Sequence, residues 1–189
     1  MRSLHLPAQA RGSSLVETLV ATALGLLVLV LSTNSTLAVV VGESRAATAK
    51  TLMRSLEFAR DEAAQRRSPV AVCGLDARDV ASSGPVHCAQ SGAAWQAGWI
   101  VYGDTNLNGE LDDGEAVLQV TRDASLSVYP PNDGAASAVI TFRPLGTLAS
   151  ATPRRLLVGT DGAQAAPVQA VCVGIDGYMR VLPLTAVCQ

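Results

Sequence analysis

The pattern of hydrophobic and polar positions predicts one long helix at the start of the chain. From Leu15 to Val41 most positions are apolar, and Glu17 carries the only charge. From Glu43 to Arg67 apolar residues recur every three or four positions with charged residues between them, which is typical of an amphipathic helix. No proline interrupts either stretch before Ser68-Pro69, so we expect one continuous helix of about fifty residues. The predicted buried positions of its second half are Ala49, Leu52, Met53, Leu56, Ala59 and Ala63.

Beyond Pro69 the pattern becomes typical of β-structure. Short β-branched or aromatic runs alternate with clusters of Gly, Asp, Asn and Pro, and no helical pattern intervenes. Parallel strands would need crossover helices, so we expect an antiparallel meander with one face covered by the amphipathic half of the helix, an α+β fold. The predicted strands are Val70–Cys73, Trp99–Tyr102, Val117–Val120, Leu126–Tyr129, Val139–Phe142, Leu156–Val158, Gln169–Val173 and Met179–Leu182.

Glu17 stands where a membrane segment least tolerates a charge. A carboxylate inside a spanning helix costs a few kcal/mol, roughly, and by default marks a functional residue with a partner. About twenty apolar residues span a bilayer, and Leu15–Val41 reaches that length only by including the polar run from Ser32 to Thr36. Arg2 and Arg11 precede the segment and predict a cytoplasmic N-terminus, with the bulk of the chain outside.

Charge and cysteine content describe the region after the helix. The chain has 189 residues, which suits one modest domain plus an anchor, and from Pro69 onward it carries six Arg against eleven Asp and Glu. Such an acidic region argues against sequence-independent DNA binding, which depends on Lys and Arg at phosphates. All four cysteines lie here, and an even number in an exported domain indicates two disulfides.

Three pairings of the four cysteines are possible. Short loops are the easiest to close, so we expect Cys73 with Cys88 and Cys172 with Cys188. The second bond would hold down the C-terminal residues. Because none of these cysteines forms a Cys-x-x-Cys pair, a zinc site is disfavoured.

The N-terminal residues resemble the type IV pilin-like proteins. In that motif a short basic leader ends in Gly, and a five-residue segment ending in Glu opens a long apolar helix. Gly12 matches the residue before the cleavage point and Ser13 the new N-terminus, although Ser13 stands where the family usually has Phe. Leu15, Val16 and Glu17 match the end of the motif. The resemblance implies cleavage between Gly12 and Ser13 by a prepilin peptidase, methylation of the new amine, and pairing of Glu17 with the N-terminal amine of a neighbouring subunit.

The rest of the chain is similar to one group within that class, the GspH/FimT family. The similarity lies in Arg60-Asp61-Glu62-Ala63 with Arg66-Arg67, in Pro69–Cys73, and in Trp95–Tyr102 followed by Asp104. It implies a non-catalytic minor pilin or pseudopilin of a type IV pilus or type II secretion system, at or near the filament tip. The implied division is a leader at 1–12, a membrane and filament-core helix at 13–41, an amphipathic half at 42–68, and a periplasmic β-rich head at 69–189.

A loop in the predicted head matches the calcium-binding template D-x-[DN]-x-[DN]-G-x5-E. Gly109 would make its sharp turn, and Glu110 would supply its carbonyl oxygen. The alternative is a hairpin turn, because Asn, Asp and Gly tolerate positive φ. The candidate calcium ligands are Asp104, Asn106, Asn108, Glu110, Asp112 and Glu115.

Other activities have weaker support. Gly177-Tyr178-Met179-Arg180 lies where some FimT members carry a DNA-uptake Gly-Arg-x-Arg motif, but only Arg180 matches, so we expect a tight turn and no DNA binding. His87 is the sole histidine after the leader, and no Gly-x-Ser-x-Gly or zinc-hydrolase spacing occurs. The competing hypotheses are a membrane-anchored periplasmic enzyme, which would not need Gly12 or Glu17, and a secreted β-domain with a cleaved signal peptide.

Overall fold

The computed structural model describes residues 14–90, 95–122, 127–129, 139–159 and 167–188, without the side chains of 27–46, 127, 167 and 168. One helix, α1, runs from Leu15 to Arg66 over 52 residues, which confirms the prediction of a continuous helix. It ends where Arg67 takes a positive φ of 54°, the left-handed conformation common after a helix terminus, just before Pro69. The chain divides into two compact units, Met1–Gly42 and Glu43–Gln189, and the first unit's described residues are helical.

Eight strands follow α1 in the second unit, and each coincides with a predicted strand. They are β1 Val70–Gly74, β2 Trp99–Gly103, β3 Val117–Thr121, β4 Ser127–Tyr129, β5 Ile140–Phe142, β6 Arg154–Gly159, β7 Pro167–Val173 and β8 Met179–Leu182. All pairings between them are antiparallel, as expected.

The strand order differs from the single meander that the sequence predicts. The strands form two four-stranded sheets, β3-β2-β1-β5 and β4-β6-β7-β8. The meander is wrong because β1 is buried along its whole length and cannot leave one backbone edge unpaired. The short strand β5 returns to that edge, with Val70 opposite Phe142, so β4 pairs with β6 instead of β3.

One core joins α1 to both sheets. Five residues of the helix, spaced three or four apart, lie fully or almost fully buried in it: Ala49, Leu52, Leu56, Ala59 and Ala63. Three of them are alanines, whose small side chains let the helix approach the sheets closely. Trp95 and Trp99, each 1% exposed, fill the same core.

A second, smaller core lies on the other face of the first sheet. Its buried members include Cys73, Leu75, Ile100 and Tyr102, and Leu111 packs against them from the loop that follows β2. Tyr102 and Asp104 are two residues apart and both have no exposed surface. The first sheet is therefore covered on both faces, and the loop after β2 is part of that cover.

Candidate functional sites

The predicted assembly site lies at the start of α1. Gly12 and Ser13 are outside the described residues, whereas Glu17 is in the first turn of the helix and is exposed. The Ser14 hydroxyl accepts a hydrogen bond from the Val16 amide at 3.3 Å, as an N-cap residue does. Among the described residues, none pairs its charge with the Glu17 carboxylate.

Large apolar side chains next to Glu17 are exposed. Leu15, Leu19 and Leu26 have 78%, 62% and 64% of their surface accessible. No helix within the described residues is long and apolar enough to cross a membrane. The predicted membrane segment Leu15–Val41 continues into residues 27–46, whose side chains the structure does not describe.

The second half of α1 is held to the head by polar contacts as well as by its buried face. The Arg60 Nε donates a hydrogen bond to the Gly146 carbonyl oxygen at 3.1 Å, and its guanidinium carbon lies 4.3 Å from the centre of the Tyr178 ring. Gln119 of β3 donates to the buried Ser55 hydroxyl at 3.2 Å. The amphipathic pattern of α1 does not indicate these contacts of Arg60, because their partners Gly146 and Tyr178 are distant in the chain.

Both predicted disulfides are present in the structure. Cys73 of β1 is bonded to Cys88, and Cys172 of β7 is bonded to Cys188, each with a Cα–Cα distance of 5.6 Å. Cys188 lies close enough to β6 for its sulfur to approach the Arg154 carbonyl oxygen at 3.4 Å. The bond therefore ties the residues after β8 to the second sheet.

The candidate calcium loop runs from the end of β2 to the start of β3. Asp104 directly follows β2, and one residue, Ala116, separates Glu115 from β3. Gly109 has a φ of 73°, as a sharp turn at the sixth template position requires, and Leu107 also lies in the left-handed region at 59°. The loop thus has the backbone turn of the template although strands flank it instead of helices.

Asp104 is the most deeply buried acid of this loop, with no exposed surface. Its Oδ2 accepts hydrogen bonds from the Gly109 amide at 3.2 Å and from the Thr141 hydroxyl at 3.4 Å, while its Oδ1 is buried without a partner. Burial raises the pKa of the Asp104 carboxyl, and the charge of Glu115 adds to the effect. No pattern in the sequence predicts this burial, because Asp104 lies just outside β2, which ends at Gly103.

The other side chains of the loop are joined by hydrogen bonds. The Asn106 and Asn108 amide groups both donate to Asp112 Oδ2, at 2.9 and 2.8 Å. Glu115 accepts from the Thr105 amide through Oε1 at 2.9 Å and from the Asp112 amide through Oε2 at 3.2 Å. The six candidate ligands thus lie around one loop, although the described residues contain no group of three or more His, Cys, Asp or Glu positioned to hold a metal by themselves.

The remaining candidate residues are structural. His87 is exposed, and its Nδ1 lies 2.9 Å from Asp79 Oδ2, in the loop between β1 and β2. In the same loop, hydrogen bonds from the Arg78 side chain and backbone lower the pKa of the Asp76 carboxyl to about 2. No nucleophile is placed beside His87 in these contacts.

Gly177-Tyr178-Met179-Arg180 forms the turn into β8, as expected. Gly177 has a φ of 79°, and a Cβ built on it would lie 1.9 Å from the Gly146 carbonyl oxygen, so the position requires glycine. Tyr178 receives the Arg60 guanidinium described above, and Arg180 is exposed on the edge strand. The segment is a packing contact between a turn of the head and α1.

Comparisons with known proteins give one matching family and one similar fold. The model of the family described as type II transport protein GspH matches residues 48–177. The fold is similar to that of the type IV minor pilin FimU of Pseudomonas aeruginosa, strain PAO1. In its P21 crystal form the TM-score is 0.51 at 20% identity, over 75% of this chain and 90% of that chain. In the P65 form the TM-score is 0.49 at 20% identity, over 73% and 92%. No curated protein sequence matches the chain.

Proposed function

The chain belongs to the GspH family, whose members are structural subunits and not enzymes, and we propose that it assembles into a pilus or secretion pseudopilus through Glu17. The proposal rests on a minor pilin or pseudopilin role, which the family supports. Its partners are other pilin or pseudopilin subunits. A place in the tip or priming complex is the finer part of the proposal, carried over from the resemblance of the head.

The position of Glu17 is the observation that carries this proposal. Its carboxylate is exposed in the first turn of α1 among exposed leucines, and no described residue pairs with it. A charge in apolar surroundings requires a partner. Cleavage between Gly12 and Ser13 creates an amine on Ser13, four positions before Glu17, and a neighbouring subunit presents the same amine. A prepilin peptidase is therefore the second partner that we propose.

We place the apolar helix in the inner membrane and the head in the periplasm. Arg2 and Arg11 before Leu15–Val41 favour a cytoplasmic N-terminus and a single pass. The bonds Cys73–Cys88 and Cys172–Cys188 suit an oxidising compartment. The net acidity of the head and the packing role of the turn at Gly177 argue against DNA as a partner.

Mass spectrometry of the mature N-terminus tests the processing step. With a prepilin peptidase present, we expect a chain that begins at Ser13 and carries one methyl group on its amine. A Gly12→Asp variant should keep its leader and remain unmethylated. An intact Met1 in the wild-type protein, or a cut near Val41 as a signal peptide would give, contradicts the proposal.

A charge-neutral substitution separates assembly from helix capping. Ser14 and Glu17 have the spacing of a capping box, in which Gln serves as well as Glu. Glu17→Gln should therefore keep the helix start and the cleavage but lose most incorporation into sheared filaments or cross-linked subunit complexes. Glu57→Gln, also an exposed acid of α1, is the matched control and should incorporate normally. Normal incorporation of Glu17→Gln would show that the charge has no assembly role.

A further inference from the structure

The deepest acid of the head has one oxygen without a partner. Asp104 has no exposed surface, its Oδ2 is hydrogen-bonded, and its Oδ1 makes no hydrogen bond. A buried carboxylate is stable when it is fully hydrogen-bonded, protonated or bound to a cation. Because Oδ2 bonds to the Gly109 amide inside the loop, the carboxyl group points into the loop.

We propose that the loop Asp104–Glu115 is a calcium-binding site in which Oδ1 of Asp104 is the anchoring ligand. In the template the first-position acid uses one oxygen for the cation, and here the other oxygen already holds the amide of the sixth-position glycine. The unpartnered oxygen is therefore the one that the spacing assigns to the metal. This proposal does not depend on filament assembly.

The remaining donors suit a hard cation with many oxygen ligands. Asn106 and Asn108 supply amide oxygens, Glu110 a backbone carbonyl, and Asp112 and Glu115 carboxylates, all within 12 successive positions of the sequence. Calcium takes six to eight such ligands, roughly, and accepts flexible geometry. No His or Cys lies in the loop, so the set does not suit zinc or copper.

Hydrogen bonds hold the side chain of Glu115, which occupies the twelfth and last ligand position of the calcium template. Amides from both ends of the loop, those of Thr105 and Asp112, bond to its two carboxylate oxygens. The amide groups of Asn106 and Asn108 bond to Asp112. The side-chain ends thus lie around the same loop before any metal binds, and a cation would replace bonds that the side chains make to one another.

The charges of the loop also favour a cation. Five acidic side chains lie within these 12 positions, those of Asp104, Glu110, Asp112, Asp113 and Glu115, and no Lys or Arg lies among them. The Tyr102 hydroxyl is itself buried without a hydrogen-bond partner. A divalent cation in the loop would relieve the mutual repulsion of these acids.

Binding at this loop would stabilise the head because Asp104 connects separate parts of it. Its backbone amide donates to the Pro69 carbonyl oxygen at 3.0 Å, just after α1, and its side chain reaches Thr141 of β5. A cation at Oδ1 would link the loop to these two elements. Unfolding would then require release of the metal.

Thermal unfolding of the full chain in detergent, with EGTA or with free calcium, tests the site. We expect calcium in about hundredfold excess over its Kd to raise the unfolding midpoint by several degrees, and magnesium at the same concentration to raise it less. Isothermal titration calorimetry should give one calcium per chain. An unchanged midpoint together with no binding heat would overturn the proposal and would favour a protonated Asp104.

Three variants locate the site. Asp104→Asn and Glu115→Gln should each abolish the calcium-dependent rise, whereas Asp113→Asn, which removes an exposed charge from the same loop outside the ligand set, should keep it. Glu115 is only half-buried, so that variant decides the result if Asp104→Asn fails to fold. A full calcium response in Glu115→Gln, or in Asp104→Asn where it folds, would overturn the assignment of this loop.

Discussion

The two halves of α1 use similar apolar residues in opposite ways. Near its start, Leu19 and Leu24 are 62% and 58% exposed, whereas Leu52 and Leu56 in the second half have no exposed surface. The second half places its apolar residues on one side at intervals of three and four, and the head covers that side. The first half is apolar at most positions, and its large apolar side chains described up to Leu26 are exposed.

This difference shows which half depends on the rest of the same molecule. Burial of a leucine contributes about 2 kcal/mol to stability. The head supplies that burial for the second half. In our functional proposal, lipid or other subunits supply that burial for the first half. Substitutions at equivalent leucines can test the comparison directly.

The largest loss of stability is expected from Leu56→Ala. The substitution leaves a cavity in the core between α1 and both sheets, so the free energy of unfolding of the head should fall by about 2–5 kcal/mol. Leu24→Ala is the matched control and should change it by less than about 0.5 kcal/mol. Urea denaturation of the full chain in detergent measures both. Equal losses for the two variants would show that the halves are not independent.

A smaller effect is expected from Arg60→Ala, which removes a polar contact of the second half. Loss of the hydrogen bond to Gly146 and of the contact with Tyr178 should lower the free energy of unfolding by about 1–2 kcal/mol. Arg60→Lys keeps the charge and should recover part of the loss. Arg54→Ala, at an exposed position of the same helix, should be nearly neutral in the same urea denaturation. An unchanged free energy of unfolding in Arg60→Ala would mean that apolar burial alone holds the second half of α1 to the head.

The smallest effect on stability is expected at a surface ion pair outside α1, between Asp76 and Arg78. The pKa of Asp76 is about 2, below its ordinary value of 3.8, because the carboxylate accepts hydrogen bonds from Arg78. Its stabilising contribution is therefore complete above pH 4, about its unfolded pKa, and is lost as the pH falls towards 2. An NMR titration of the Asp76 carboxyl carbon should show a midpoint near pH 2.

Substitution checks the same contact. Asp76→Asn should lower the unfolding midpoint slightly at neutral pH, and the difference should shrink in acid. The effect should be small because 83% of the Arg78 side chain is exposed. A carboxyl midpoint near 3.8 would mean that the Arg78 contact does not persist in solution.

The elements of the fold could be predicted from the sequence, but the sheet arrangement could not. Helical spacing identified the buried face of α1, and turn residues separated the eight strands. The pairing of β1 with β5 joins residues about seventy positions apart, Val70 with Phe142, and nothing local in either strand specifies its neighbour. The long apolar run of β1 was the available signal, because a strand buried on both faces is typical of a central position.

Some features of the candidate sites could also be predicted from the sequence, and others could not. The template positions of the calcium loop and the short-range disulfides are readable from spacing along the chain. The burial of Asp104 and the contact of Arg60 with Gly146 are not, because each depends on residues brought together by the tertiary fold. Gly12 and Ser13 remain sequence-based predictions, since they lie outside the described residues.

Burial of the two indole rings has an optical consequence. Trp95 and Trp99 are the only tryptophans of the chain, and both lie in the unit Glu43–Gln189. Their fluorescence emission therefore reports on that unit alone, and the apolar start of α1 contributes no signal to it. A change in emission wavelength would register opening of the core, while insertion into lipid or docking of a neighbour on the first half would need a separately attached dye.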